Sequence, residues 1–352
     1  MAEPTGAADG GSPPYPTPSY RITLGDRDIT PTVDARLISL TLTECRGDEA
    51  DQLDLTLDDC DGALEIPSKG VTLSLAFGWA GSPLVDKGTF VVNEAEHSGA
   101  PDQVTIRARS ADLGKDLRER KEQSWHRTTL GAILEAVAQR NSLKARVDAK
   151  LAGKDVAHID QTHESDLNFV TRLAKRYDAV ATVKKGMLLF LPIVGTTTSK
   201  GEALPTITIT RADGDSHRYH SSDREAYNGV RAYWHDSKGA KRRSVLVGQS
   251  GNAKRLKEGH ASEADARAAA EAEWRRVQRG AATFELALGL GQPLLGPQTP
   301  VRVRGFKPQI DEIEWLAIKA CHTFGDGGYT TKVELEVAGA KEADASSAGT
   351  AD

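Results

Sequence analysis

Leu53-Asp54-Leu55-Thr56-Leu57-Asp58 alternates apolar and polar residues at every step. Successive side chains of an extended strand point to opposite faces, so these three leucines define one buried face and the polar residues one wet face. The same period recurs on both sides. Upstream, Tyr20, Ile22 and Leu24 alternate with Arg21 and Thr23, and Gly25-Asp26 supplies a tight turn before Ile29. Downstream, Val71, Leu73, Leu75 and Phe77 repeat it ahead of Gly78-Trp79-Ala80-Gly81. Phe90-Val91-Val92 and then Val104, Ile106 and Ala108 continue the series. Short strands punctuated by turns predict a small barrel or sandwich.

The period changes after Asp112. Leu130, Ile133, Leu134, Val137 and Ala138 have the three-and-four spacing of an amphipathic helix, with Thr128 or Thr129 as its cap and Asn141 as the left-handed residue that ends it. A second helix starts at Ser165 and carries Leu167, Val170, Ala174 and Tyr177 on one face. Val180, Thr182 and Val183 then lead through Lys185-Gly186 into Leu188–Leu191, a hairpin. Period two returns in Thr206-Ile207-Thr208-Ile209 and in Val230, Ala232 and Trp234.

A third helix spans Ser262 to about Gln278. Ser262 with Asp265 resembles a capping box, Gly280 terminates, and Ala266, Ala269, Ala270, Trp274 and Val277 form a face small enough to lie close on a sheet. Val301 and Val303, then Trp315, Ala317 and Ile318, then Val333, Leu335 and Val337 after Gly327-Gly328 close the chain. No exact repeat links the two β regions, but their similar length and strand spacing predict related barrels.

A chain of 352 residues exceeds one ordinary core. The expected class is mainly β with an α+β insertion, two small β-barrels of similar fold flanking or packing on an α/β module. The expected boundaries are a disordered arm over 1–19, a first barrel over 20–112, the module over 113–225, a second barrel with one helix over 226–338, and a disordered tail over 339–352. Both termini are rich in small and polar residues that bury too little apolar surface to offset ordering.

The net charge of -5 and the lack of a long basic block argue against nucleic-acid binding; Lys241-Arg242-Arg243 reads as a solvated hairpin tip. Cys45, Cys60 and Cys321 are far apart and odd in number, which points to synthesis in a reducing cytoplasm. The N-terminus has no basic-then-apolar leader pattern and no apolar run approaches the roughly 20 residues of a bilayer-spanning helix, so no membrane span is expected.

Candidate chemistry is sparse. His158 and His163 are five apart rather than the four that places two ligands on one helical face. His217 and His220, with Asp215 and Asp223 nearby, read as a solvated loop rather than a metal site. Glu94 and Glu96 share a strand face where two carboxylates repel and stay wet, whereas glycoside hydrolysis needs a pair at controlled separation in a cleft. Asp311, Glu312 and Glu314 beside Trp315 read as an exposed turn. Gly289-Leu290-Gly291-Gln292-Pro293 lacks the third glycine and the helix of a dinucleotide loop, and no nucleophile elbow or phosphate loop is present. The expectation is no catalytic, cofactor or metal residue, and no assignable interface residue.

Two stretches carry a resemblance. His158-Ile159-Asp160-Gln161-Thr162-His163-Glu164-Ser165-Asp166-Leu167-Asn168-Phe169 with Arg172-Leu173-Ala174 is one; Trp315 to His322 with Gly328-Tyr329-Thr330-Thr331-Lys332-Val333-Glu334-Leu335 is the other. Ala268–Leu288, Gly296 and Val301 also fit. In order and spacing, from about Tyr20 to Val337, the chain resembles the phage late control protein D family, hubs of contractile tails related to the hub part of VgrG spikes.

The resemblance implies a structural baseplate hub without enzymatic activity, in the tail of a virion or phage-like particle. It implies a homotrimer whose ring joins a six-fold tail tube to a three-fold central spike. The partners implied are the tail tube protein, the spike, and other baseplate proteins or the tape measure protein. A type VI secretion-like spike hub and a tail-associated wall-degrading enzyme are the alternatives.

Overall fold

The computed structural model describes residues 16–47, 49–110, 117, 119–184, 186–193, 205–221, 227–236, 239 and 241–339. The arm expected over 1–19 lies outside the described residues up to residue 15, and the tail expected over 339–352 lies outside them from residue 340.

The first region contains β1 (Pro18–Leu24), β2 (Arg27–Asp28), α1 (Thr30–Asp34), β3 (Leu37–Cys45), β4 (Gln52–Asp58), β5 (Thr72–Trp79), β6 (Val85–Ser98) and β7 (Gln103–Ser110). The alternation that opens the sequence is β4. It lies between β3 and β7, with Leu53 opposite Leu42 and Ala108, and Leu55 opposite Leu40 and Ile106. Leu53, Leu55 and Leu57 are buried with Ile22, Leu73, Leu75, Phe77 and Phe90 in one core.

The middle contains β8 (Arg120–Thr129), α2 (Leu130–Arg140), β9 (Lys144–Val147), α3 (Ala149–Ala152), β10 (Asp155–Ser165), α4 (Asp166–Tyr177), β11 (Ala179–Lys184) and β12 (Met187–Pro192). Ile133, Leu134 and Val137 of α2 and Phe169, Val170 and Leu173 of α4 meet Phe190 in a second core. Thr129 caps α2 by accepting from the Ala132 amide at 3.2 Å, and Ser165 caps α4 by accepting from Asn168 at 3.2 Å. Asn141 ends α2 at φ −106°; the left-handed residue there is Ser142, one position later.

The last part contains β13 (Ile207–Thr210), β14 (Gly214–Ser221), β15 (Gly229–Asp236), β16 (Lys241–Gly248), β17 (Ala253–His260), α5 (Glu263–Arg279), β18 (Ala282–Leu288), β19 (Pro300–Arg304), α6 (Pro308–Asp311), β20 (Trp315–Gly325) and β21 (Gly328–Val337). Strands β15, β16 and β17 form their own small sheet under α5, with Val230, Ala232, Val245, Ala266 and Ala270 as its core. The alanines let the helix lie close on that sheet, as the sequence predicts. The other strands bury Phe284, Leu286, Val301, Val303, Trp315, Val333 and Leu335 in a fourth core.

The class is mainly β with an α/β insertion, but the two β regions are not two closed barrels. β20 pairs antiparallel with β3, setting His322 opposite Leu42 and Phe324 opposite Leu40. The strand order β14-β18-β21-β20-β3-β4-β7-β6-β5-β1-β2 is therefore one open sheet of 13 strands, with β13 and β19 attached beside β20. The edge of β3 that would close a first barrel is occupied by a strand about 280 positions later. Strands β13 and β14 also join this sheet, through β19 and β18, so the strands internal to the α/β module end at Pro192. Among the described residues, no helix is long and apolar enough to cross a membrane.

Candidate functional site

The site is where the four cores meet, and charged side chains build it. Helix α4 ends at Asp178, which takes the left-handed conformation (φ 53°, ψ 50°). That turn aims a nearly inaccessible carboxylate at the last turn of α5. Arg279 donates to both Asp178 oxygens, through Nη1 at 2.8 Å and through Nη2, while Arg275 Nε donates at 3.1 Å. Burial opposes ionisation of Asp178, but the hydrogen bond and charge of Arg279, then those of Arg275, outweigh it and hold the carboxyl below its ordinary range.

Arg279 Nε also lies 3.2 Å from Glu336 Oε1 on β21, and Glu336 accepts from Arg46 just after β3. One chain of charges thus runs from the α/β module through α5 to both halves of the large sheet. Next to it Gly47 has φ +72°, and a Cβ there would stand 2.9 Å from the Ala181 carbonyl oxygen on β11. Only glycine permits this backbone and this approach together. Lys184 Nζ to Asp51 at 3.0 Å, and Arg276 Nη2 to the Lys175 carbonyl at 2.7 Å, add further ties. Between them lies a cleft of about 360 Å³ lined by Arg46, Thr171, Lys175, Ile193 and Arg276.

A second polar cluster sits where β3, β20 and β21 lie side by side. His322, fully buried, places Nε2 3.0 Å from the Leu295 carbonyl oxygen and 3.3 Å from Glu44 Oε2. Both are acceptors, so Nε2 carries the proton. Nδ1 is then an acceptor whose single lone pair faces the Thr331 hydroxyl at 2.9 Å and the Tyr329 hydroxyl at 3.0 Å, one of which donates to it. Burial pushes the His322 pKa down against the opposing pull of Glu44, which keeps the ring neutral. Burial raises the pKa of Glu44, but the His322 hydrogen bond and then the Lys87 charge outweigh it and bring the carboxyl to about 2. Lys87 Nζ stands 2.7 Å from Glu44 Oε2.

The 158–174 motif has its own buried centre. Asp166 accepts from Arg140 through two nitrogens, from Gln161 at 2.8 Å, from Asn141 at 2.8 Å and from Lys121 at 3.1 Å. This ties α2, α4, β8 and β10 together and accounts for Gln161 and Asp166 on architectural grounds. The 315–335 motif holds the His322 cluster.

The other candidate residues are dispersed. Glu94 and Glu96 share Arg107, at 2.7 and 3.8 Å, on the exposed face of β6. Asp311 accepts from the Gly305 and Phe306 amides, capping a turn, and Trp315 is buried with its Nε1 donating to Ile310. His217 and His220 lie on strand β14 rather than in a loop; the Tyr219-flanked segment pairs with β18, and His217 packs edge-on to Phe284 and Phe306. Asp223 lies outside the described residues. Lys241, Arg242 and Arg243 begin β16 at the turn end of the β15–β16 hairpin and are exposed, as expected, with Arg242 over the Tyr233 ring at 4.1 Å and Arg243 3.0 Å from Asp236. Gly291 belongs to a loop docked on Tyr329, with its carbonyl accepting from Trp79 Nε1. Cys45, Cys60 and Cys321 are free thiols. His158 meets His126 across β8–β10, while His163 sits at a bulge of β10. Among the described residues no group of three or more His, Cys, Asp or Glu side chains is placed to hold a metal ion.

Reading residue types did not single out Glu44, Asp178, Arg279 or Glu336. The local signal is the basic end of α5, with Arg276 and Arg279 in its last turn and Arg275 just before them.

A family model described as phage tail baseplate hub (GPD) matches residues 38–328. Probable baseplate hub proteins of Escherichia phages 186 and P2 are each 43% identical to the chain over 361 residues, covering 91% of it and 93% of each relative. A 43 kDa tail protein of prophage MuSo2 from Shewanella oneidensis shares the fold, with a TM-score of 0.67 at 17% identity over 92% of this chain and 99% of that one.

Proposed function

The chain belongs to the phage tail baseplate hub family, and from that membership we propose that three copies form the ring joining the tail tube to the central spike. It is a structural component of the phage tail. The observation that carries the finer reading is the shared sheet: each chain brings two β regions into one hydrogen-bonded body through β3 and β20. Two regions on each of three chains offer six positions around a three-fold axis, which is what a match between a six-fold tube and a three-fold spike requires.

The role we assign is transmission of force and matching of symmetry, without bond chemistry. The Asp178–Arg279–Glu336–Arg46 chain suits that role by holding the cores in one relative orientation. Among the described residues β14 pairs only with β18, so one of its edges is available for a neighbour. The partners in this reading are two further copies, the tail tube protein, the spike, and other baseplate proteins or the tape measure protein. Interfaces of this permanence bury about 2,000 Å² or more.

Light scattering on the purified protein, alone and with the spike protein, tests the proposal. A mass of three chains in either condition is expected. A single-chain mass in both overturns the ring. Lysis of cell walls in a turbidity assay, abolished by one carboxylate substitution, would overturn the absence of bond chemistry.

A further inference from the structure

Among the described residues, strands β8 and β10 form a two-stranded ribbon with no third strand. Its inner face is apolar: Trp125 and Ile159, directly opposite each other, pack into the core of the α/β module. Side chains alternate, so positions 124, 126, 158 and 160 share the outer face. There His126 stands opposite His158, and Ser124 opposite Asp160. The two imidazoles overlap with centroids 4.6 Å apart and their Nδ1 atoms 3.0 Å apart. On the far side of the His158 ring, Nε2 lies 3.0 Å from Asp160 Oδ2.

The hydrogen-bond directions follow from these partners. A carboxylate only accepts, so His158 carries its proton on Nε2 and presents a bare Nδ1. Hydrogen-bonding one ring nitrogen to a carboxylate is how proteins orient a histidine whose other nitrogen binds metal. His126 then places its own Nδ1 against the first.

We propose that His126 and His158 form a binding site for a divalent transition metal ion of borderline softness, zinc or nickel, with Asp160 as the orienting carboxylate. Two Nδ1 donors bound at about 2.0–2.1 Å to one tetrahedral ion stand slightly further apart than 3.0 Å, so a small opening of the two exposed rings admits it. On binding, the single proton between the rings leaves His126 Nδ1 to solvent and one is taken up from solvent at His126 Nε2. Water completes the coordination. The bound ion would clamp a ribbon that, among the described residues, no neighbouring strand supports. This site is independent of the trimer reading.

The test is calorimetric titration of the full chain with zinc in chelator-free buffer, repeated with cobalt to follow its visible spectrum. One ion per chain is expected, with a cobalt spectrum characteristic of nitrogen ligation. His126→Ala and His158→Ala each should abolish it, Asp160→Asn should weaken it about tenfold or more, and His235→Ala should leave it unchanged. Saturable binding that survives both histidine substitutions, or no saturation of the unaltered chain at millimolar zinc, overturns the proposal. Far-ultraviolet circular dichroism of the variants separates loss of the site from loss of the fold.

Discussion

Asp178 and Arg279 stand 101 positions apart in the chain and form a buried, two-pronged ion pair that locks the end of α4 onto the end of α5. The side chains are 3% and 2% exposed, so neither charge has water as an alternative partner. Glu336 and Arg46 extend the pair into both halves of the large sheet. The geometry turns a helix cap into a joint between separately packed cores.

Removing one partner of such a pair costs more than the pair contributes, because the remaining charge stays buried. Arg279→Met is expected to destabilise the protein by about 3–5 kcal/mol in urea unfolding. Because the folded-state pKa of Asp178 is depressed, its contribution is complete above the ordinary carboxylate range and is lost as pH falls through the depressed value. An unchanged urea midpoint for Arg279→Met at neutral pH would show that the joint carries no stability.

Acid should loosen the centre of the sheet in two stages. The folded pKa of His322 lies below its ordinary value, so the native state disfavours the proton and stability declines as pH falls below about 6.5. Glu44, drawn down to about 2, contributes stability above the ordinary carboxylate range that disappears only as pH approaches that value. The melting temperature followed from pH 8 down to about 2 should fall across both windows. His322→Gln should remove the upper one; a profile identical to that of the unaltered chain would assign that window to another group.

Gly47→Ala meets two obstacles, a φ of +72° and the Ala181 carbonyl 2.9 Å from the new Cβ. The backbone strain alone costs about 1–2 kcal/mol, and relief requires the module to move away from the sheet. The variant should melt lower and be cut faster by protease between the two, whereas Gly62→Ala, also at positive φ but with open space, should show only the backbone cost. Equal effects for the two would mean the close approach contributes nothing.

Ser262 accepts from the Asp265 amide at 3.1 Å and donates to the Asp265 carboxylate at 2.8 Å. Ser262→Ala should cost about 1 kcal/mol, with Ser262→Asp retaining most of it. A melting curve unchanged in the alanine variant would show that the cap is dispensable.

The strands and helices were largely legible before any coordinates. Alternation of Leu53, Leu55 and Leu57, the caps Thr129, Ser165 and Ser262, and the turns at Gly25 and Gly186 depend on neighbours a few positions away. Local sterics and hydrogen bonding act over that range, so local sequence expresses them. The family resemblance was legible too, because the pairs Gln161 with Asp166 and His322 with Thr331 fall within single short segments, although the networks they serve reach Lys121, Arg140 and Glu44 elsewhere in the chain. His217 and His220 misled because a run of polar residues on an edge strand looks like loop composition, although the two histidines take opposite faces of it.

By itself, the sequence determined the mainly β class, the inserted helices and the family. Only the tertiary structure decided that β3 pairs with β20, that β13 and β14 leave the module for the large sheet, and that Asp178, Arg279, Glu336 and Arg46 converge. It also decided that His126 faces His158. Periodicity states which face of a strand is buried but not which distant strand takes its edge, since every backbone offers the same donors and acceptors. That choice is made by the packing of whole cores, and the charged residues that become buried are set by it.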